Sequence, residues 1–139
     1  SSDIVLGPNL LDRNPDYSYG DGGDSKNAVV VRNSYNLTMT GLHISHVIGM
    51  PAGLVLNGCR NYNLTNSTIL NCEEGGILLR DSEHGSISDN LISDDRARSE
   101  MPPAIRVQGG QHNHVSSNFV DGDIEVDPNS AELSDNYTP

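Results

Sequence analysis

The feature that most constrains this chain is a six-residue block that recurs along its length. The first copies are Leu6-Gly7-Pro8-Asn9-Leu10-Leu11, Leu37-Thr38-Met39-Thr40-Gly41-Leu42 and Leu64-Thr65-Asn66-Ser67-Thr68-Ile69. Ile87-Ser88-Asp89-Asn90-Leu91-Ile92, Val115-Ser116-Ser117-Asn118-Phe119-Val120 and Leu133-Ser134-Asp135-Asn136-Tyr137-Thr138 follow. Each block opens on an aliphatic residue, carries a small polar pair and then a polar residue at the third position, and all but the last return to an aliphatic at the fifth. The blocks begin 31, 27, 23, 28 and 18 residues apart. A second motif precedes most of them by about eight positions: Leu54-Val55-Leu56, Ile77-Leu78-Leu79, Ile105-Arg106-Val107 and Ile124-Glu125-Val126, with residues 28–31 in that part earlier. A fixed period of this kind decides the architecture before any single residue does.

Repeats this short, and this rich in Asn, Gly and Ser, do not suit helical hairpins. The pattern also lacks the fixed asparagine between leucines of leucine-rich repeats. Short parallel strands wound into stacked coils do fit, with equivalent residues about 4.8 Å apart from coil to coil. Asn90, Asn118 and Asn136 fall at one repeat position, with Asn9, Thr40 and Ser67 at the same place in the earlier blocks. Stacked there, their amides pass hydrogen bonds between coils and satisfy turn backbone that would otherwise be buried unpaired.

The segments Gly76-Ile77-Leu78-Leu79-Arg80-Asp81-Ser82 and Gly85-Ser86-Ile87-Ser88-Asp89-Asn90-Leu91-Ile92, with their counterparts at 53–69, resemble the right-handed parallel β-helix of the pectin-lyase-like superfamily. The resemblance covers roughly residues 4–138 and implies an all-β solenoid of five to six coils, starting near 4, 28, 53, 76, 104 and 123, in one domain over 1–139. Such a stack stands roughly 25–30 Å tall. Activity is not implied, because the superfamily hosts lyases, hydrolases, epimerases and non-catalytic modules. The last repeat is short and polar, whereas Asp3-Ile4-Val5-Leu6 starts inside a coil. The expectation is a C-terminal part of a longer chain, with missing N-terminal coils covering the open end; burial of that end in a homo-oligomer is the alternative.

Composition narrows the partners. Asp plus Glu is 19 against 8 Lys plus Arg, a net charge of −11, which argues against nucleic acid and anionic membrane surfaces. No apolar run approaches the roughly 18 residues of a membrane span, and membrane insertion is not expected. Two cysteines, Cys59 and Cys72, fall at different corners and read as buried packing residues.

Variation in the links locates a candidate site. The link between the two motifs is nearly constant, while the link after the block is long at 12–27 and 93–102, intermediate at 43–51, and short at 70–74 and 121–122. Stacking gathers the variable links on one edge, where insertions on a solenoid carry function. That edge holds Asp12, Asp16, Asp21, Asp24, His46, Glu73, Glu74, Asp94, Asp95, Glu100 and Asp121, with Arg13, Arg96 and Arg98 among them. Asp94, Asp95 and Asp16 are the candidate acid and base groups for a glycosidic bond. Tyr17, Tyr19, Arg96, Arg98, His46 and Glu73 are the candidate substrate-binding residues. Asp21-Gly22-Gly23-Asp24 offers oxygen ligands for Ca²⁺, without the spacing of an EF-hand loop. Tyr35, Tyr62 and Tyr137 are further sugar-stacking candidates.

Motifs of known activities in this superfamily are incomplete. Asn14-Pro15-Asp16 and Asp94-Asp95 echo a polygalacturonase-like set, yet Glu83-His84-Gly85 precedes the acid pair and no Arg-x-Lys occurs. Arg106 faces Glu125 across adjacent coils, which predicts a surface ion pair. His112-Asn113-His114 sits at a corner with His84 one coil below, too few ligands for a closed zinc site. The sequons at Asn36 and Asn63 are assigned to one repeat position and read as products of the repeat. The expected function is a β-helix module that engages polysaccharide along its side, within a larger secreted or cell-envelope carbohydrate-active protein. The alternatives are a polysaccharide lyase or glycoside hydrolase acting from the acidic edge, and a purely structural or oligomerisation stack.

Overall fold

The computed structural model describes residues 1–12, 28–96 and 100–139. All sixteen elements among them are strands, arranged in three parallel sheets. Sheet A contains β1 (Ser2–Leu6), β4 (Tyr35–Thr40), β7 (Arg60–Thr65), β10 (Glu83–Ser88), β13 (Asn113–Ser116) and β16 (Ala131–Ser134). Sheet B contains β2 (Asn9–Asp12), β5 (Leu42–Ser45), β8 (Thr68–Leu70), β11 (Leu91–Ser93) and β14 (Phe119–Val120). Sheet C contains β3 (Val29–Arg32), β6 (Leu54–Asn57), β9 (Ile77–Arg80), β12 (Ile105–Gln108) and β15 (Ile124–Val126). The chain visits C, A and B in turn on every complete coil, giving the expected parallel β-helix. Among the described residues no helix is long and apolar enough to cross a membrane.

Strand alternation sends one aliphatic set inward from each sheet, and parallel registry stacks it. Met39, Leu64, Ile87 and Val115 form the column from sheet A. Ile44, Ile69, Ile92 and Val120 form the column from sheet B. Leu54, Ile77 and Ile105 with Leu56, Leu79 and Val107 complete the core from sheet C. All of these are buried. The outward residues Val55 and Leu78 of sheet C are buried as well, in a second small cluster with Ala52.

The six-residue block is not one strand. It bends in its middle, so that its first aliphatic belongs to sheet A and its last to sheet B. At the bend sits a left-handed residue, Gly41, Asn66, Asp89, Ser117 or Asp135, followed by buried Ser67, Asn90 and Asn118 or half-buried Asn136, with Leu42 after Gly41 as the apolar exception. The predicted amide ladder is present there: Asn90 Nδ2 donates to Asn118 Oδ1 at 3.0 Å, and Asn118 Nδ2 donates to Asn136 Oδ1 at 3.0 Å. The Ser67 N–H donates to Asn90 Oδ1 at 2.9 Å.

One block registers two residues away from its sequence alignment. Met39 and Ile44, rather than Leu37 and Leu42, stand over Leu64 and Ile69. Thr40 therefore pairs with Thr65 in sheet A, and Leu42 holds the ladder position, its N–H donating to Ser67 Oγ at 3.1 Å. The same shift sets Thr38, not Asn36, beside Asn63, so those two sequons are not equivalent.

Two other expectations fail on packing. Tyr62 is buried, and its ring passes over Gly85 of the next coil to donate to Asn113 Oδ1 at 2.6 Å two coils away. It is a core residue, not a sugar platform, and burial pushes its phenol well above the ordinary range. Arg106 does stand beside Glu125, but its Nη2 turns instead to the carbonyls of Pro51 at 2.7 Å and Glu74 at 3.1 Å. Cys59 and Cys72 are buried, free thiols, as expected.

Candidate functional site

The links from sheet B to sheet C follow β2, β5, β8, β11 and β14, so registry puts them on one edge. Asp16, Tyr17, Tyr19, Asp21 and Asp24 lie outside the described residues, as do Arg13 and Arg98. Asp12, His46, Glu73, Asp94, Asp95 and Arg96 lie within them, and all but Glu73 fall into two groups.

The first group begins at Asp12, the last residue of β2. Its Oδ1 accepts a hydrogen bond from the hydroxyl of Ser45 on the neighbouring strand and lies 3.3 Å from His46 Nδ1. The Ser45 hydroxyl is the main reason the Asp12 carboxyl is held below its usual range; partial burial opposes it, and His46 adds to the lowering. His46 is in the left-handed region at φ 56°, and Asn71 follows at the equivalent place on the next coil at φ 54°. Asn71 Nδ2 lies 3.5 Å from His46 Nε2, and Asn71 Oδ1 accepts the N–H of Asp95 at 3.0 Å. Asp12 accepts at one ring nitrogen and the Asn71 amide donates at the other, which assigns the Nδ1–H tautomer to a neutral His46. The imidazole side chain is 30% exposed. A hydrogen-bonded line thus crosses successive coils along the edge, from Asp12 through His46 and Asn71 to the backbone of Asp95.

The second group centres on Asp94. Arg96 grips Asp94 with Nε and Nη2, each at 2.8 Å, and the Asp94 side chain is 8% exposed. Paired first with Asp94, the Arg96 guanidinium is raised above its already high value, against partial burial. Asp121 Oδ2 accepts from Ser93 Oγ at 2.6 Å and from the Asp94 N–H at 3.3 Å. Asp94 and Asp95 are therefore unlike neighbours, one bidentate to an arginine and the other exposed. Glu73 is exposed, with its N–H on the carbonyl of Val47 at 2.9 Å.

Asn71 and Ser45 carry this geometry without an expectation from the sequence. The signal for Asn71 is its registry between His46 and Asp94, which the two-residue shift hides. At the opposite end of the sheet C strands, next to the turn into sheet A, the outward positions Arg32, Asn57, Arg80 and Gln108 form an in-register column, with Arg80 Nε 3.4 Å from Gln108 Oε1. Among the described residues no group of three or more His, Cys, Asp or Glu side chains is arranged to hold a metal ion.

Three registered sheets, an internal asparagine ladder and a polar edge define a parallel β-helix solenoid. The chain belongs to the right-handed β-helix family, whose model, described as a right handed beta helix region, matches residues 18–136. No curated protein sequence matches it. Among solved structures it is similar to a protein from Parabacteroides merdae ATCC 43184, described only provisionally as a glycosyl hydrolase, with a TM-score of 0.67 and 14% identity over 83% of this chain. The chain spans 63% of that protein's length, and a likeness at this identity carries the fold alone.

Proposed function

We propose that this chain is a polysaccharide-engaging β-helix module, bound along the sheet B to sheet C edge, within a larger secreted or cell-envelope protein. The observation that carries the reading is the line Asp12–His46–Asn71–Asp95. It holds a half-exposed imidazole and an amide one coil apart, each oriented by partners on neighbouring coils. Groups fixed at coil pitch suit a ligand that itself repeats, because rigid placement lowers the ordering cost of binding. The provisional glycosyl hydrolase description of the structural neighbour points to the same class of ligand.

Affinity electrophoresis through soluble acidic and neutral polysaccharides, with calcium or chelator, tests this. Retardation by at least one polymer, relieved in His46→Ala and Asn71→Ala proteins that melt normally, is the expected result. Migration unaffected by every polymer refutes the reading. A second, enzymatic reading is favoured by the Asp12–His46 pair, since a carboxylate at Nδ1 fixes the orientation of the ring and leaves Nε2 as its accepting nitrogen, the arrangement of a general base. New reducing ends from a panel polymer, lost in His46→Ala, would establish it.

A further inference from the structure

The chain has one phenylalanine, five tyrosines and no tryptophan, yet its phenylalanine faces outward. Phe119 is 38% exposed and Tyr137 60%, and their rings lie in contact on adjacent coils, tilted by 34° with centroids 5.3 Å apart. Leu91, one coil before and in register with Phe119, is 38% exposed. The three form a contiguous apolar strip on the outer face of sheet B, away from the edge of the proposed polysaccharide site.

Their placement is rigid. Each follows a ladder asparagine directly, as Asn90-Leu91, Asn118-Phe119 and Asn136-Tyr137. Asn118 alone accepts from the N–H and the Nδ2 of Asn90 and donates to Asn136 Oδ1 and the Ile87 carbonyl, all within 3.1 Å. The residues before those asparagines, Asp89, Ser117 and Asp135, are exposed and left-handed. The three carrier segments, 89–93, 117–121 and 135–139, contain neither lysine nor arginine, and Asp89 and Asp135 flank the strip; Asp121 is already engaged with Ser93 and Asp94 on the edge.

We infer that Leu91, Phe119 and Tyr137 form a stacking platform for an uncharged, hydroxyl-rich glycan, separate from the edge site. A sugar ring has one face of C–H groups and a rim of hydroxyls. Aromatic faces carry partial negative charge and attract polarised C–H groups, and the flanking carboxylates accept hydrogen bonds from hydroxyls. The same carboxylates repel a polyuronate, which selects a neutral polymer.

The test runs the intact chain through native gels containing soluble neutral β-glucan or galactomannan, with polygalacturonate gels in parallel. At least one neutral polymer retards the wild type. Phe119→Ala and Tyr137→Ala each weaken that binding about tenfold, while Tyr137→Phe, which keeps the ring, preserves it. Any polygalacturonate retardation is unchanged by the platform variants. Should the alanine variants lose their thermal transition, Phe119→Leu and Tyr137→Leu, which keep bulk but not the ring, take their place. Absence of neutral-glycan retardation in the wild type overturns the proposal. So does undiminished binding in the ring-deleted variants. A concentration-dependent dimer in sedimentation velocity that Tyr137→Ala abolishes, without glycan retardation, makes a second copy the occupant and equally overturns it. Neutral-glycan binding lost only in Asn71→Ala refutes the platform and leaves the edge reading standing. Loss only in the platform variants does the reverse.

Discussion

A single methyl group at Gly85 should unsettle three coils. A Cβ there would fall inside the van der Waals envelope of Cδ1, Cε1 and Cζ of Tyr62, whose ring lies across the glycine. Gly85 is not among the left-handed residues, so alanine meets no backbone strain. At such positions Gly→Ala ordinarily stabilises by about 0.4–1 kcal/mol, by restricting the unfolded chain. Here the sign reverses. Expelling a ring that is only 3% exposed costs about 3–5 kcal/mol. It also leaves Asn113 Oδ1 without the phenol that reaches it at 2.6 Å, while the Asn113 amide stays fixed on the carbonyls of Ser82 and Ser130, each at 2.9 Å. A buried acceptor stripped of its donor adds about 1–3 kcal/mol, offset in part if the ring tilts rather than leaves. Gly85→Ala is therefore expected to lose about 3–5 kcal/mol, and Tyr62→Phe, which keeps the ring, only about 1–2 kcal/mol. Urea unfolding followed by far-ultraviolet circular dichroism measures both. In a Tyr62→Ala background, Gly85→Ala should cost nothing or stabilise, giving a coupling of about 3–5 kcal/mol. A Gly85→Ala protein as stable as the parent, or an equal cost in both backgrounds, would refute the reasoning.

Replacing Asn118 by Leu removes a side chain with four hydrogen bonds. It should lower the urea midpoint more than Asn136→Leu at the ladder's end, by a difference of about 1–3 kcal/mol. For Asp12, whose carboxyl is lowered below its ordinary value of 3.8 chiefly by the Ser45 hydroxyl, the folded state favours the charged form. That contribution is fully present above the unfolded pKa and is lost as pH falls through the lower folded one. Ser45→Ala should accordingly flatten the dependence of stability on pH below about pH 4, read from thermal melts between acid and neutral pH. Cys59 and Cys72 are buried, with burial raising the Cys72 thiol. An aromatic disulfide reagent should find both thiols unreactive in the folded protein and two per chain in denaturant.

Much of the architecture is written in the sequence because stacking forces repetition: an aliphatic inside on one coil needs another above it. Three sheets look like two motifs because the turn between sheets A and B is only a left-handed residue and a ladder residue, too short to interrupt the block. The two-residue offset at Leu37 has an equally definite cause. A slip of one residue would turn the core outward, but a slip of two keeps every side chain on its own face. Leu37 and Leu42 satisfy the block as well as Met39 and Ile44 do. What separates them is registry with the neighbouring coils, where Ile44 stacks on Ile69, and that lies between segments rather than within one.

The same property hides the candidate site. His46 belongs to the chemistry of the edge only through Asp12 on the coil before and Asn71 on the coil after, residues 34 and 25 positions away. No local spacing contains that relation, and an offset of two residues on the coil of His46 removes Asn71 from its side. Asp94 and Asp95 show the converse. Adjacent in sequence they read as a pair of acids, yet Arg96 takes both oxygens of one and leaves the other exposed. In a solenoid the core is legible because it repeats along the chain. The site is legible only across it, after the register of every coil is fixed, so residues that meet between coils, such as His46 and Asn71, are the ones whose substitution most directly tests function.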